Sequence, residues 1–161
     1  MSNNLPVCLF SEDIEIREST IHGRGVYSTK KIKKDDCIVE YIGQRISWKE
    51  ALKRHPHDPL QPFHTFYFSL TNGKVIDGNV NGNVAKWINH SCKPNCEAKE
   101  FKDKNNKLRV FIFAKRNVKK EEELFYDYGL ELDADHNNEE KLNYKCLCGK
   151  KTCRKTMLAI K

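Results

Sequence analysis

Turn-forming residues interrupt this chain so often that little of it can be helical. Alternation in Ile14-Glu15-Ile16-Arg17 and the β-branched run Cys37-Ile38-Val39-Glu40-Tyr41-Ile42 predict strands. Thr65–Leu70 and Lys74–Asp77 predict a hairpin turning at Asn72-Gly73, and a second pairs Asn95–Phe101 with Leu108–Ala114 across Asp103-Lys104-Asn105-Asn106. Ser47 followed by Glu50 reads as a capping box opening a short helix through Arg54. Pro56, Pro59 and Pro62 then make residues 55–64 a loop. Short strands, few short helices and many turns predict a mainly β domain, without internal repeat or low-complexity tract.

The chain has 161 residues, enough for one domain with a real core. At 39% hydrophobic and 32% charged it has an ordinary globular composition. No apolar run approaches the roughly 18 residues a membrane helix needs. Met1-Ser2-Asn3-Asn4 lacks the basic-then-apolar pattern of a secretory leader, so a cytosolic or nuclear site is expected. The formal charge of +7 suits nucleic acid or an acidic surface, and equally a lysine-rich solvated face. Only Lys145–Lys161 is locally basic.

The seven cysteines are odd in number and uneven in placement. Cys146, Cys148 and Cys153 fall within eight residues, with only Leu147 between the first two. Such neighbours are poor disulfide partners and natural joint ligands of one metal, which points to a reducing compartment. Tetrahedral structural zinc takes four ligands, so a fourth is to be found; His136 is near in sequence. Cys8, Cys37 and Cys96 read as free buried thiols.

Two segments carry chemistry without a hydrophobic period to explain them as core. Asn89-His90-Ser91-Cys92-Lys93-Pro94-Asn95-Cys96 places an amide, an imidazole, a hydroxyl and a thiol in consecutive positions. Glu123-Leu124-Phe125-Tyr126-Asp127-Tyr128-Gly129 places two tyrosines around one carboxylate. Upstream, Gly23-Arg24-Gly25 permits close backbone approach to a ligand, although on residue type alone it reads as a tight turn. A third glycine at dinucleotide-fingerprint spacing is missing.

Taken in order, Ile21-His22-Gly23-Arg24-Gly25, Ile76-Asp77, Gly82-Asn83, these two segments and the ending Cys148 to Lys155 resemble the SET-domain protein lysine methyltransferases with a post-SET cysteine tail. The similarity is strongest to their trithorax/MLL-like subgroup. It implies small curved β-sheets with a knot-like C-terminal threading, a SET domain over 12–132, a connector over 133–144 and a zinc-binding tail over 145–161. It also implies an enzyme using S-adenosylmethionine, with His22, Gly23, Arg24, Gly25, Asn89, His90, Tyr128 and Leu147 at the cofactor. Cys92 becomes the fourth zinc ligand beside Cys146, Cys148 and Cys153.

The resemblance places Tyr128 at the methyl-transfer centre, with Tyr126, Asn89 and His90 beside it. Tyr126 matches the position that sets product state, which predicts a mono- or dimethylated lysine. Phe66 departs from the pattern: aligned by Ile76-Asp77, relatives carry a tyrosine there, and Tyr67 faces the other side of a strand. The implied substrate is a histone tail or nucleosome, and the implied location is chromatin in a nucleus, a host's if the chain is viral or bacterial, with cytoplasm as the alternative. No membrane is implied; direct DNA binding and activating protein partners stay open. Glu121, Glu122 and Glu123 could face a basic peptide, though such a run is usually a solvated face. The competing reading is a catalytically weak SET-like module that holds a peptide without turnover.

Overall fold

The computed structural model describes residues 5–55, 66–130 and 137–159. These form two compact units, each assembled from separated stretches of chain. The expected loop at 55–64 falls almost wholly outside the described residues, as do residues 133–136 of the expected connector and His136.

One unit takes residues 5–9, 36–55, 66–86 and 98–113. In it β3 (Cys37–Tyr41) and β9 (Leu108–Ala114) pair antiparallel, and β8 (Cys96–Lys102) completes a three-stranded sheet in the order β3-β9-β8. The turn after β8 uses Asp103 twice, its Oδ1 accepting from the N–H groups of Asn105 and Lys107. This is how a short acidic side chain replaces missing ladder bonds.

A second sheet runs β4 (Gln44–Ser47), β6 (Lys74–Asp77), β5 (Tyr67–Ser69). The predicted Asn72-Gly73 turn joins β5 to β6: Gly73 has φ +83° and Asn72 Oδ1 accepts from Lys74 N–H. Helix α1 (Trp48–Arg54) starts where expected, Ser47 Oγ accepting from Glu50 N–H at 3.0 Å. Glu50, however, does not complete the box; its carboxylate turns to Arg54 at 2.8 Å. Arg54 also reaches Asp77 at 3.1 Å, fastening the helix end to β6. Tyr67 and Trp48 pack on a buried Ile46–Ala51–Val75 cluster. Phe66, just before β5, lies under the Lys86 ammonium, 5.3 Å from the ring centroid.

The other unit takes residues 10–35, 87–97, 114–130 and 137–159. Strands β1 (Ile14–Glu18) and β2 (Arg24–Ser28) form an antiparallel ribbon in register from Ile14–Ser28 to Glu18–Arg24. Val26 of β2 is fully buried, as are Ile32, Ile88, Val118, Leu124 and Leu158 of the same unit. Two short strands, β7 (Asn89–His90) and β10 (Phe125–Tyr126), pair in parallel. Within the expected connector, Asn138–Asn143 form helix α2, whose Asn137 cap accepts from Glu140 N–H at 2.8 Å. No described helix is long and apolar enough to cross a membrane.

Candidate functional site

The parallel β7–β10 pair brings the two chemistry-bearing segments together, aligning Asn89 with Phe125 and His90 with Tyr126. Two-residue strands hold little by themselves, and Asn95 supplies what they lack. Its side chain is 2% exposed; its amide donates to Glu123 O at 2.8 Å and its carbonyl accepts from Phe125 N–H at 2.8 Å. One amide thus copies a backbone neighbour and locks the register.

His90 is buried, and burial pulls its pKa down to about 4, so the ring is neutral. Its Nδ1 accepts from Tyr128 N–H at 3.0 Å, which assigns the proton to Nε2, 3.5 Å from Cys92 Sγ. The imidazole therefore fixes backbone. The neighbouring Asp127 carboxyl is raised by burial but held below its usual range overall by the bidentate Arg154 guanidinium, at 2.7 and 2.8 Å, and by Gly129 N–H.

Tyr128 donates its hydroxyl to Ile88 O and meets His90 edge-on, with ring centroids 5.3 Å apart. Tyr126 lies against it at 4.9 Å. Burial, followed by the Glu123 charge, pushes the Tyr128 phenol above its ordinary value. It is a neutral hydroxyl whose proton is committed to Ile88 and whose lone pairs can still accept.

The turn before β2 forms the second half of the site. Ser19 N–H donates to Gly23 O at 2.7 Å, and Gly23 takes φ +49° with open space where a Cβ would stand. Asn89 Nδ2 shares its two protons among His22 O at 3.2 Å, Arg24 O at 2.9 Å and Glu123 Oε1 at 3.1 Å. The side chains of His22 and Arg24 are exposed, and the Arg24 guanidinium lies 5.2 Å over the Trp87 ring. The expected cofactor residues 22–25, 89, 90 and 128 thus belong to one hydrogen-bonded assembly, while Leu147 is 48% exposed between two buried cysteines.

Sequence reasoning gave Glu123 no role of its own, only a place at the head of the second segment and in an acidic run. Leu124 N–H donates to Val26 O and Glu123 bridges Tyr27, so the chain runs antiparallel along β2 and turns the Glu123 carboxylate beneath Gly25. There it is 7% exposed and accepts from Ser19 Oγ at 2.8 Å and Tyr27 Oη at 3.2 Å as well as from Asn89. A Cβ on Gly25 would stand 2.1 Å from Glu123 Oε1, so this glycine admits a charge rather than a turn. No periodicity signals such a pairing.

The Sγ atoms of Cys92, Cys146, Cys148 and Cys153 all lie within 4.8 Å of one another, with Cys92 3.6 Å from Cys146 and 3.8 Å from Cys153. Tetrahedral zinc with bonds of about 2.3 Å needs sulfurs roughly 3.8 Å apart, so the donor set fits that ion. The N–H groups of Cys148 and Lys155 point at Cys146 and Cys153 Sγ, as suits thiolates. The tail docks through Leu130, which donates to Met157 O at 3.1 Å and accepts from Ala159 N–H at 2.8 Å.

A family model described as the SET domain matches residues 23–129. Among relatives, the histone-lysine N-methyltransferase set-2 of Caenorhabditis elegans is 39% identical over 88% of this chain and 9% of its own length. The histone-lysine N-methyltransferase trithorax of Drosophila virilis is 34% identical over 95% of this chain and 4% of its own. An H3 lysine-4 specific histone-lysine N-methyltransferase of Chaetomium globosum is 34% identical over 88% of this chain and 13% of its own. The chain therefore spans only a small part of these relatives. Among solved structures, ctPRC2 in an autoinhibited conformation bound to S-adenosylmethionine is similar over 72% of this chain and 15% of that one, with a TM-score of 0.66 and 26% identity. By its motifs, its site geometry and these matches, the chain belongs to the SET domain family, on the trithorax-like side of it.

Proposed function

We propose that this chain is an S-adenosylmethionine-dependent protein lysine N-methyltransferase whose substrate is a lysine in a histone tail. The observation that carries the reading is the Tyr128 hydroxyl, half-buried, neutral and aimed by Ile88 O beside Tyr126, in the same assembly as the Asn89-held turn. The turn fits the cofactor because Gly23 leaves open space on an exposed face, where backbone groups of residues 22–24 can meet a ligand.

Bound S-adenosylmethionine supplies an electrophilic methyl group. The chain's task is to present a neutral amine in line with it. A lysine of pKa about 10.4 loses about 4 kcal/mol in giving up its proton at pH 7.4. Tyr126 and Tyr128 wall the amine with rings, and the Tyr128 oxygen accepts from the amine N–H and orients its lone pair. Tyr128 is not the base, since both burial and Glu123 oppose a phenolate. The Tyr126 hydroxyl occupies space that a more methylated nitrogen needs, so the product is mono- or dimethyl-lysine. Cys92, Cys146, Cys148 and Cys153 hold a structural zinc that ties the tail to the Asn89–Cys96 segment.

The reading is tested by methyl transfer from labelled S-adenosylmethionine to core histones and nucleosomes, with Tyr128→Phe as control and intact-mass detection. Tyr128-dependent methylation of one histone is expected. Cofactor binding without transfer to any histone would overturn the substrate assignment and favour a module that holds peptide without turnover.

A further inference from the structure

Cys8 and Cys37 take no part in the four-cysteine cluster, and the proposed chemistry does not use them. Their sulfurs are 2.9 Å apart although the residues are 29 positions apart in sequence. The backbone explains the approach. Leu9 N–H donates to Cys37 O at 3.0 Å, holding the segment before the first strand against the start of β3. Cys37 stands where β3 slips its register against β9, two residues from 37 to 39 facing one step from 113 to 112. Such a bulge re-aims the side chain at its edge. It turns a 7%-exposed thiol toward the incoming segment, while Cys8 stays half-buried and within reach of small reagents.

We propose that Cys8 and Cys37 form a reversible disulfide that fastens residues 5–9 to β3. Cys8 is the attacking sulfur because it is the half-buried one of the pair and can meet a reagent, whereas Cys37 is enclosed and can reach only Cys8. With a small-molecule disulfide such as oxidised glutathione, the Cys8 thiolate attacks one sulfur and expels a glutathione thiolate, leaving a mixed disulfide. Cys37 then gives its proton to solvent, attacks Cys8 Sγ and expels the second glutathione thiolate. Two protein thiols are oxidised and one glutathione disulfide is reduced to two thiols. Closing a loop of 29 positions removes freedom from the unfolded chain, so the oxidised form is the more stable one.

The test equilibrates the full chain, with zinc added, in glutathione buffers of stepped potential, quenches it with N-ethylmaleimide and maps the peptides by mass. A Cys8–Cys37 linked peptide should form while Cys92, Cys146, Cys148 and Cys153 remain unlinked. The thermal midpoint should rise by roughly 5–10 °C on oxidation of the natural chain and not of Cys8→Ser. Cys8 keeps partial exposure, so that variant spares the core. If Cys8 and Cys37 stay fully alkylated up to the potential at which the four-cysteine cluster oxidises, or if Cys8 links elsewhere, the proposal is overturned. A linked peptide without a rise in midpoint overturns the fastening.

Discussion

The Asn89 amide donates to the Glu123 carboxylate at 3.1 Å, and through that bond the turn before β2 is tied to the parallel β7–β10 pair. Glu123 accepts from three side-chain donors, so Glu123→Gln keeps the shape but turns an N–H toward one of them. The variant should fold and bind S-adenosylmethionine about 10-fold more weakly, as loss of one charge-assisted hydrogen bond implies. Titration calorimetry measures this, and unchanged affinity would refute the tie.

Gly25→Ala tests the same tie from the other side. Its Cβ would fall 2.1 Å from Glu123 Oε1, displacing a carboxylate that Ser19, Tyr27 and Asn89 hold in place. A loss of about 2–4 kcal/mol in unfolding free energy is expected from chemical denaturation. Combined with Glu123→Ala, which removes the obstacle, Gly25→Ala should cost far less, a non-additivity that a double-mutant cycle reads directly.

If the Tyr128 hydroxyl orients the amine as proposed, Tyr128→Phe should cut methyl transfer by at least about 100-fold and change cofactor affinity little. The pH profile separates orientation from base catalysis. With the phenol raised, the rate should climb with pH as the substrate lysine deprotonates, with no plateau from Tyr128 below pH 10. The sign for stability follows from the same shift. The native state keeps a proton that the unfolded tyrosine releases, so Tyr128 contributes stability that is full below about pH 10 and declines as pH rises further. Alkaline unfolding should begin there and be delayed in Tyr128→Phe.

Under the proposed reading, replacing Tyr126 with phenylalanine removes a hydroxyl that would crowd the amine. The share of di- and trimethyl product should rise severalfold by mass spectrometry, and an unaltered product distribution would remove Tyr126 from that role.

How these residues come together was only partly legible in the sequence. The β5–β6 hairpin was, because Asn72-Gly73 demands a left-handed turn at a fixed place and the flanking runs are β-formers. The β1 and β3 strands were, from alternation and β-branching. Strands β7 and β10 are two residues each, too short for any period, and only resemblance to a known family linked their segments. Helix α2 carries a readable signal, Asn137 three residues before Glu140, inside the stretch expected as a connector. Glu123 was hidden by Glu121 and Glu122, since a charge run says nothing about which member turns inward.

Removing metal should act on the tail selectively. A strong chelator should make Cys92, Cys146, Cys148 and Cys153 alkylatable, disorder the segment from Tyr144 onward and abolish transfer. Cys96 serves as internal control: it is fully buried, and burial pushes its thiol up to about 12. It should stay unlabelled until denaturant is added. Labelling of Cys96 along with the four would mean that the whole domain, rather than the tail, had opened.

Cys92 is synthesised 54 residues before Cys146 and 61 before Cys153. At roughly 5–20 residues per second, the ribosome leaves that thiol without its companions for about 3–12 seconds. During that interval the nascent chain carries an open cysteine next to its most chemically loaded segment, exposed to electrophiles and to every other thiol in the cell. Completion of a four-thiolate metal site accordingly has to wait until Cys153 has been made. Scarcity of the ion would appear as newly made chains that fail to mature, well before it appeared as loss from chains already folded.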